Sequence, residues 1–181
     1  QFIYTLLGIF TIFFFSLLEE KTFYKLSLVS FIIIFCTLIL VPIFGVEVKG
    51  SKRWIDIFFF PRFQPIEILK PFLIIVLSMI LTSEKYSNKY ARYLLSLIAI
   101  LPIILLLFLQ PDIGQTLLVL CLWLSLIFVS GINLIFLILF ILIGLSTLTL
   151  MINFIPKLNY IKFRIQSFFD VTSKGNYQSE R

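Results

Sequence analysis

The chain has 181 residues, of which 60% are hydrophobic and 13% are charged, and its formal net charge is +6. Soluble domains carry about 25% charged residues, so this composition excludes an ordinary soluble domain and predicts an all-α integral membrane protein, a polytopic helical bundle. The absence of histidine excludes histidine metal sites and the usual Ser/His or Cys/His nucleophile pairs from this chain. Cys36 and Cys121 lie in apolar runs and are expected to be buried thiols.

Membrane spans are predicted from the length of the uncharged runs, because a bilayer core of about 30 Å needs about 20 helical residues. Residues 71–83 make only about 20 Å of helix, so this helix is expected to begin near Pro65. The uncharged run 113–156 is about twice the length of one crossing and is expected to turn at SGIN, residues 130–133. The six predicted transmembrane helices cover about residues 1–18, 23–43, 65–83, 92–109, 113–130 and 133–154.

The last segment, residues 157–181, is more polar than the rest. Apolar residues recur at helical spacing from Leu158 to Phe168, which predicts an amphipathic helix on the bilayer surface; an ordinary polar loop is the alternative. The chain begins with Gln1 and ends in the polar stretch NYQSER. We therefore expect it to be a fragment of a longer protein.

One stretch, GSKRWIDIFFFPRFQPIEILKPF at residues 50–72, gathers charges beside an apolar region. On a helix that begins at Pro65, Glu67 and Lys70 share a face and are expected to pair, and Pro71 is expected to kink the helix. Ionisable groups at membrane depth are functional candidates by default. The alternative is an interfacial salt bridge in which Lys70 reaches the headgroups.

Two further groups of polar residues are candidates for binding. Lys52 and Arg53 precede Trp54, an arrangement that suits an anionic group beside an interfacial aromatic, although simple anchoring of the loop is the alternative. In LQPDIGQTL, Asp112 is expected to cap the helix that follows it, since its carboxylate complements the positive helix end. Gln110 and Asp112 could also line a polar pocket at the mouth of the bundle.

The basic residues do not settle the orientation of the chain. Lysine and arginine are more numerous on the side that holds residues 44–64 and 157–181, which by the positive-inside rule would be cytoplasmic. The rule does not extend to long loops, and residues 157–181 are expected to belong to one. From charge alone, both orientations stay open.

The motifs GSKRWI, FQPIEILKP, QPDIG and RIQSFFDVTSKGNYQ, in this order and spacing, resemble those of the shape, elongation, division and sporulation (SEDS) family of peptidoglycan glycosyltransferases. Ile66 stands where the family has the serine of Gln-Pro-Ser-Glu, and Val171 stands where a proline commonly follows the aspartate. GVEVKGSKRWI and NYQSER are more similar to the division branch, FtsW, than to the elongation branch, RodA.

The resemblance implies a fold of ten spans, of which the six in this chain would be the second to the seventh. It implies a multi-pass protein of the bacterial inner (cytoplasmic) membrane, with loops 44–64 and 157–181 in the periplasm. This orientation is the opposite of the one that the basic residues favour. We therefore interpret those residues as ligands for an anionic substrate.

The implied function is polymerisation of lipid II into glycan strands during septal cell-wall synthesis. The family's proposed general base is an aspartate in a His-Thr-Asp-Phe motif, so no catalytic residue is expected in this chain, which has no histidine. The resemblance implies no metal site and no evident cofactor, and it leaves a need for a divalent cation open. The predicted substrate-binding residues are Lys52, Arg53, Trp54, Gln64, Glu67, Lys70, Gln110 and Asp112.

The implied partners are lipid II with its undecaprenyl diphosphate, a class B penicillin-binding protein, other division proteins and membrane lipids; no nucleic acid is expected. A RodA-like elongation polymerase is the alternative within the family. A lipid flippase or transporter, with Glu67 and Lys70 as a gated charge pair, is a different alternative, as is a non-catalytic scaffold for division enzymes. A downstream His-Thr-Asp motif would favour the glycosyltransferase.

Overall fold

The computed structural model of the chain describes residues 2–48, 51–57, 60–86 and 88–154. In these ranges the chain forms six helices and a three-stranded sheet. The helices are α1 (Phe2–Ser16), α2 (Glu20–Phe44), α3 (Pro65–Thr82), α4 (Lys89–Leu109), α5 (Ile113–Val129) and α6 (Leu134–Phe154); the strands are β1 (Val46–Val48), β2 (Ser51–Ile57) and β3 (Phe60–Phe63).

The helices have the length and surface of a membrane protein. Among those described, α2, α3 and α4 are long and apolar enough to cross a membrane, and α5 and Leu134–Gly144 are shorter apolar helices. Large apolar side chains such as Ile33 and Leu105 point outward, with 59% and 61% of their surface exposed. Such a surface suits hydrocarbon rather than water. The predicted helical membrane class is therefore confirmed, while the division into six spans stays a prediction.

Helix boundaries follow local chemistry. Proline stands at the first position of α3, where its missing N-H would have no helical partner in any case. Asn88 caps α4 by accepting a hydrogen bond from the backbone N-H of Tyr90 at 2.9 Å. Between α5 and α6, Gly131 has a φ of +85°, a conformation that other residues resist. The SGIN segment therefore ends α5, as its composition predicts.

The chain divides into two compact units, Gln1–Gly131 and Ile132–Arg181. In the first unit, α3 is the central element, because it packs against α2, α4, α5 and β2. Its buried residues recur at intervals of three and four, and Leu69, Leu73 and Leu77 have no exposed surface. A buried hydrogen bond from Trp123 Nε1 to Ser96 Oγ, at 3.0 Å, joins α5 to α4.

The second unit is described over residues 132–154. Asn133 begins α6, since its Oδ1 accepts a hydrogen bond from the backbone N-H of Ile135 at 3.0 Å. Large apolar side chains along α6, such as Leu134, Ile138 and Ile143, are more than half exposed within the chain.

The segment between α2 and α3 contains an antiparallel sheet of order β1-β2-β3. Val46 lies opposite Trp54 and Glu47 opposite Lys52, and Ile55 lies opposite Phe63 on the other side of β2. The central strand, β2, contacts α2 and α3. The sheet therefore brings the side chains of β2 to the end of the helical bundle at which α3 begins.

For three features, the structure differs from the sequence analysis or does not describe the residues concerned. The sheet was not predicted, because the charges in this stretch indicate a loop. The prediction of buried cysteines is wrong: Cys36 and Cys121 are both exposed, since an apolar run in this chain often faces outward rather than into the bundle. The amphipathic helix and loop predicted for residues 157–181 lie outside the described residues.

Candidate functional site

Polar side chains from β2, from the start of α3 and from the α4–α5 turn meet at one end of the first unit. They form two groups that touch each other. The Asp112 cluster consists of Arg53, Gln64 and Asp112. The Lys70 cluster consists of Glu67, Lys70 and Gln115.

Asp112 is the acceptor at the centre of the first cluster. It caps α5, since its Oδ1 accepts a hydrogen bond from the backbone N-H of Gln115 at 3.4 Å, as the sequence predicts. Its Oδ2 accepts a hydrogen bond from Gln64 Nε2 at 3.0 Å. Only 5% of Asp112 is exposed, so these bonds replace the water that a free carboxylate would hold. Asp112 therefore connects Gln64, the residue that precedes α3, to the first turn of α5.

Arg53 reaches this turn from the sheet. Its Nη1 lies 3.5 Å from Asp112 Oδ1, and its Nη2 donates a hydrogen bond to the backbone carbonyl of Pro111 at 2.8 Å. Its side chain is 32% exposed, while its Nε is buried and has no hydrogen-bond partner among the described residues. Arg53 thus holds β2 to the α4–α5 turn and leaves a guanidinium edge that is only partly satisfied.

The Lys70 cluster is a closed ring of three side chains. Lys70 Nζ lies 2.6 Å from Glu67 Oε2, which is the ion pair that the spacing predicts. Lys70 also donates to Gln115 Oε1 at 3.1 Å, and Gln115 Nε2 donates to Glu67 Oε1 at 2.5 Å. Lys70 is 15% exposed and Glu67 is 50% exposed. The ring therefore has a sheltered ammonium and an accessible carboxylate.

Gln115 is the member of the site that sequence reasoning missed. It stands three residues after Asp112, and this Asp-x-x-Gln spacing resembles a capping box, in which the third helical side chain turns back toward the helix start. That spacing could have placed Gln115 near the cap. The structure adds that its side chain contacts α3, because Glu67 and Lys70 are its partners.

The other predicted site residues lie apart from the two clusters. Gln110 is 2% exposed, and its Nε2 donates to the backbone carbonyl of Leu38 in α2 over a long 3.5 Å. Lys52 is exposed on β2 and Trp54 is half-buried. Within the described residues, neither has a hydrogen bond or ion pair to either cluster.

The clusters hold two positive and two negative groups in contact, and this balance limits their chemistry. The carboxylates of Glu67 and Asp112 each have a basic partner. Among the described residues, no group of three or more His, Cys, Asp or Glu side chains could hold a metal ion. A third ion pair, Arg62 Nε to Asp56 Oδ2 at 2.8 Å, is exposed on the sheet and separate from the clusters. The site can offer donors to an anionic or hydroxyl-bearing ligand.

A family model described as "Cell cycle protein", FTSW_RODA_SPOVE, matches residues 1–179. A probable peptidoglycan glycosyltransferase FtsW of Wigglesworthia glossinidia brevipalpis is 35% identical over 148 residues, which are 81% of this chain and 38% of that protein. The protein of the same description from Taylorella equigenitalis is 30% identical over 178 residues, which are 93% of this chain and 45% of that protein. The chain spans less than half the length of these curated relatives.

The solved structures that are similar to this chain include the following two. The rod shape determining protein RodA of Thermus thermophilus has a TM-score of 0.64 and 29% identity, covering 80% of this chain and 46% of RodA. A chain from a structure described as "Structural coordination of polymerization and crosslinking by a peptidoglycan synthase complex" has a TM-score of 0.70 and 25% identity, covering 99% of this chain and 53% of that chain.

Proposed function

Because the chain belongs to the FtsW, RodA and SpoVE family of cell cycle proteins, we propose that it is part of a peptidoglycan glycosyltransferase that polymerises lipid II. The observation that carries the proposal is the connected set of Arg53, Asp112, Lys70 and Gln115 at one end of an apolar bundle. A lipid-linked substrate needs such a place, where its acyl chain stays in hydrocarbon and its diphosphate meets fixed donors.

In this proposal the chain supplies binding and orientation rather than the catalytic base. Lys52 and Arg53 approach the diphosphate from the sheet, and Lys70 does so from α3. Glu67 and the amide side chains orient the sugar hydroxyls near these charges. The family's proposed base, an aspartate of a His-Thr-Asp-Phe motif, is not among the residues of this chain, which contains no histidine.

We assign the chain to septal synthesis in the division branch of the family. This assignment is supported by the curated relatives, which are described as probable FtsW proteins. A RodA-like role in elongation is the competing assignment. Complementation separates them, because an FtsW-depleted strain that divides again supports the septal role and a rescued RodA-depleted strain contradicts it.

We further propose that residues 44–64 and 157–181 face the periplasm of the inner membrane, where lipid II is polymerised, and that the six predicted spans are the second to seventh of ten. A cysteine at position 62 in a variant without the native cysteines should then react with an impermeant maleimide in spheroplasts. A cysteine at position 85 should react only after the membrane is permeabilised. The reverse pattern would contradict this orientation.

A class B penicillin-binding protein and other division proteins are the partners we propose. The support is the solved peptidoglycan synthase complex, whose description joins polymerisation to crosslinking. Co-purification of the full-length protein with such a transpeptidase checks it, and failure of the two to associate in detergent and in nanodiscs would contradict it.

Replacing Arg53 tests the proposed function. In the full-length protein, Arg53→Ala is expected to abolish polymerisation of lipid II and leave membrane insertion intact, since both a diphosphate donor and the link to Asp112 are lost. The measurement is gel analysis of glycan strands made by the purified protein from lipid II.

Arg62→Ala is the matched control, because Arg62 pairs with Asp56 on the exposed part of the sheet. This variant should polymerise lipid II normally. Normal strand synthesis by Arg53→Ala would contradict the role of Arg53. Movement of lipid II across vesicles without any polymerisation would instead support the flippase alternative.

A further inference from the structure

Gln115 is the connecting residue of the site, and the family resemblance gives it no role. Its side chain accepts a hydrogen bond from Lys70 and donates one to Glu67. Its backbone N-H donates to Asp112 Oδ1. One residue therefore joins both clusters, so that a shift of the α5 N-terminus moves Gln115, one of the two partners of Lys70, with it.

The ring requires a side chain that accepts and donates at the same time. A primary amide does both, while its length lets it reach from α5 to α3. A carboxylate at this position would keep the bond to Lys70 but would repel Glu67. A lysine would repel Lys70, and an apolar side chain would make neither bond. The neutral amide is thus the chemistry that fits between an ammonium and its carboxylate partner.

The ring leaves one donor of Lys70 for a ligand. An ammonium has three N-H groups, and in the described part of the chain Nζ has two acceptors, one from Glu67 and one from Gln115. Lys70 is 15% exposed, so the remaining N-H is aimed by its two fixed neighbours rather than by free rotation in water. Fixed donors of this kind bind an anion without the cost of ordering a flexible side chain.

We propose that Gln115 is a positioning residue, which holds the Lys70 ammonium in the direction of the diphosphate of the lipid-linked substrate. This rests on the proposed function, because the ligand is the substrate of that reaction. Gln115 acts through Lys70, so its contribution to binding exists only while Lys70 carries its charge.

The test is a double-variant cycle in the full-length protein, reconstituted in nanodiscs with lipid II as substrate. Gln115→Leu should raise the KM for lipid II about tenfold with kcat changed less than about twofold, as expected when binding energy is lost equally from substrate and transition state. Lys70→Met should raise KM at least as much. The double variant should be no worse than Lys70→Met alone, because Gln115 then has nothing to position.

Ser125→Ala is the matched control on α5, since the exposed Ser125 hydroxyl donates, among the described residues, only to the Cys121 carbonyl of its own helix. It should leave KM and the melting temperature unchanged. If Gln115→Leu does not fold, Gln115→Asn replaces it, because the side chain is one methylene shorter and cannot bridge to α3.

The outcomes separate the two proposals. An unchanged KM in a folded Gln115 variant overturns the positioning role of Gln115 but leaves the proposed polymerase function unaffected. A double variant whose loss equals the product of the single losses overturns it too, as does a fall in kcat accompanied by a lower melting temperature. No polymerisation by the unsubstituted protein overturns the proposed function and this inference with it.

Discussion

Asp112 shows how a single residue serves both the fold and the site. Its carboxylate accepts hydrogen bonds from the α5 backbone and from Gln64 and forms an ion pair with Arg53, although only 5% of the residue is exposed. Together these contacts provide partners for a carboxylate that is almost fully buried. The sequence predicts the helix cap from local spacing, but the contacts with Gln64 and Arg53 depend on how distant segments pack.

Replacing Asp112 by asparagine tests this central position. The asparagine amide keeps one acceptor oxygen but removes the negative charge opposite Arg53. Its NH2 group also faces one of the donor groups that now contact the carboxylate. We expect Asp112→Asn to lower the free energy of unfolding by about 1–3 kcal/mol, measured by thermal unfolding in detergent. Asp56→Asn is the control, because the Asp56 side chain is 42% exposed in a surface pair, and it should change stability by less than about 1 kcal/mol. Equal effects of the two changes would contradict the central position of Asp112.

At the scale of elements, Gln110 compensates for a proline in a neighbouring helix. Pro42 lies inside α2 and has no N-H, so the carbonyl of Leu38, four residues earlier, loses its helical donor. Gln110 Nε2 lies 3.5 Å from that carbonyl, in a buried position where water cannot replace it. This geometry gives Gln110 a structural role between α2 and the α4–α5 turn, beside the substrate-binding role predicted from its motif.

This role predicts coupling between two positions that are far apart in the chain. In a Pro42→Ala background the new N-H can donate to Leu38, so Gln110→Leu should cost less stability there than in the native background, by about 0.5–1.5 kcal/mol. Thermal unfolding of the native protein, the two single variants and the double variant measures the difference. Pro102→Ala is the control, because Pro102 lies inside α4 and frees a carbonyl that Gln110 does not contact. Equal costs of Gln110→Leu in all backgrounds would refute the coupling.

The elements also show what the sequence could and could not predict. Helices were predictable because uncharged runs of known length have few alternatives in a bilayer. The sheet was missed because β1 and β3 are short and the charges of β2 suggested a loop. The valines of β1 and the tryptophan and isoleucines of β2 are nevertheless typical of strands. Gln115 was missed because its partners lie on α3, and spacing along α5 carries no information about a contact with another helix.

At the scale of the whole molecule, the two polar clusters lie together at one end of the first unit, while many apolar side chains on its helices are exposed. The positions of Lys70 and Asp112 were predicted from motifs, yet their arrangement in two joined clusters follows from the packing of α3 against α5 and β2. Lys52 and Trp54 belong to the same GSKRWI motif as Arg53 but lie outside both clusters. The motifs therefore contain the residues of both clusters except Gln115, but they do not predict the contacts between them.

In the proposed function, this end of the bundle binds the anionic part of lipid II for polymerisation. The most direct measurement is the rate of glycan-strand synthesis from lipid II by the full-length protein, in its native form and with Lys70→Met, with Lys85→Met as an exposed control outside the clusters. At lipid II concentrations below KM, we expect strands from the native protein and from Lys85→Met, and a rate at least about tenfold lower for a folded Lys70→Met protein. Equal rates for all three proteins, or no strands from the native protein, would contradict it.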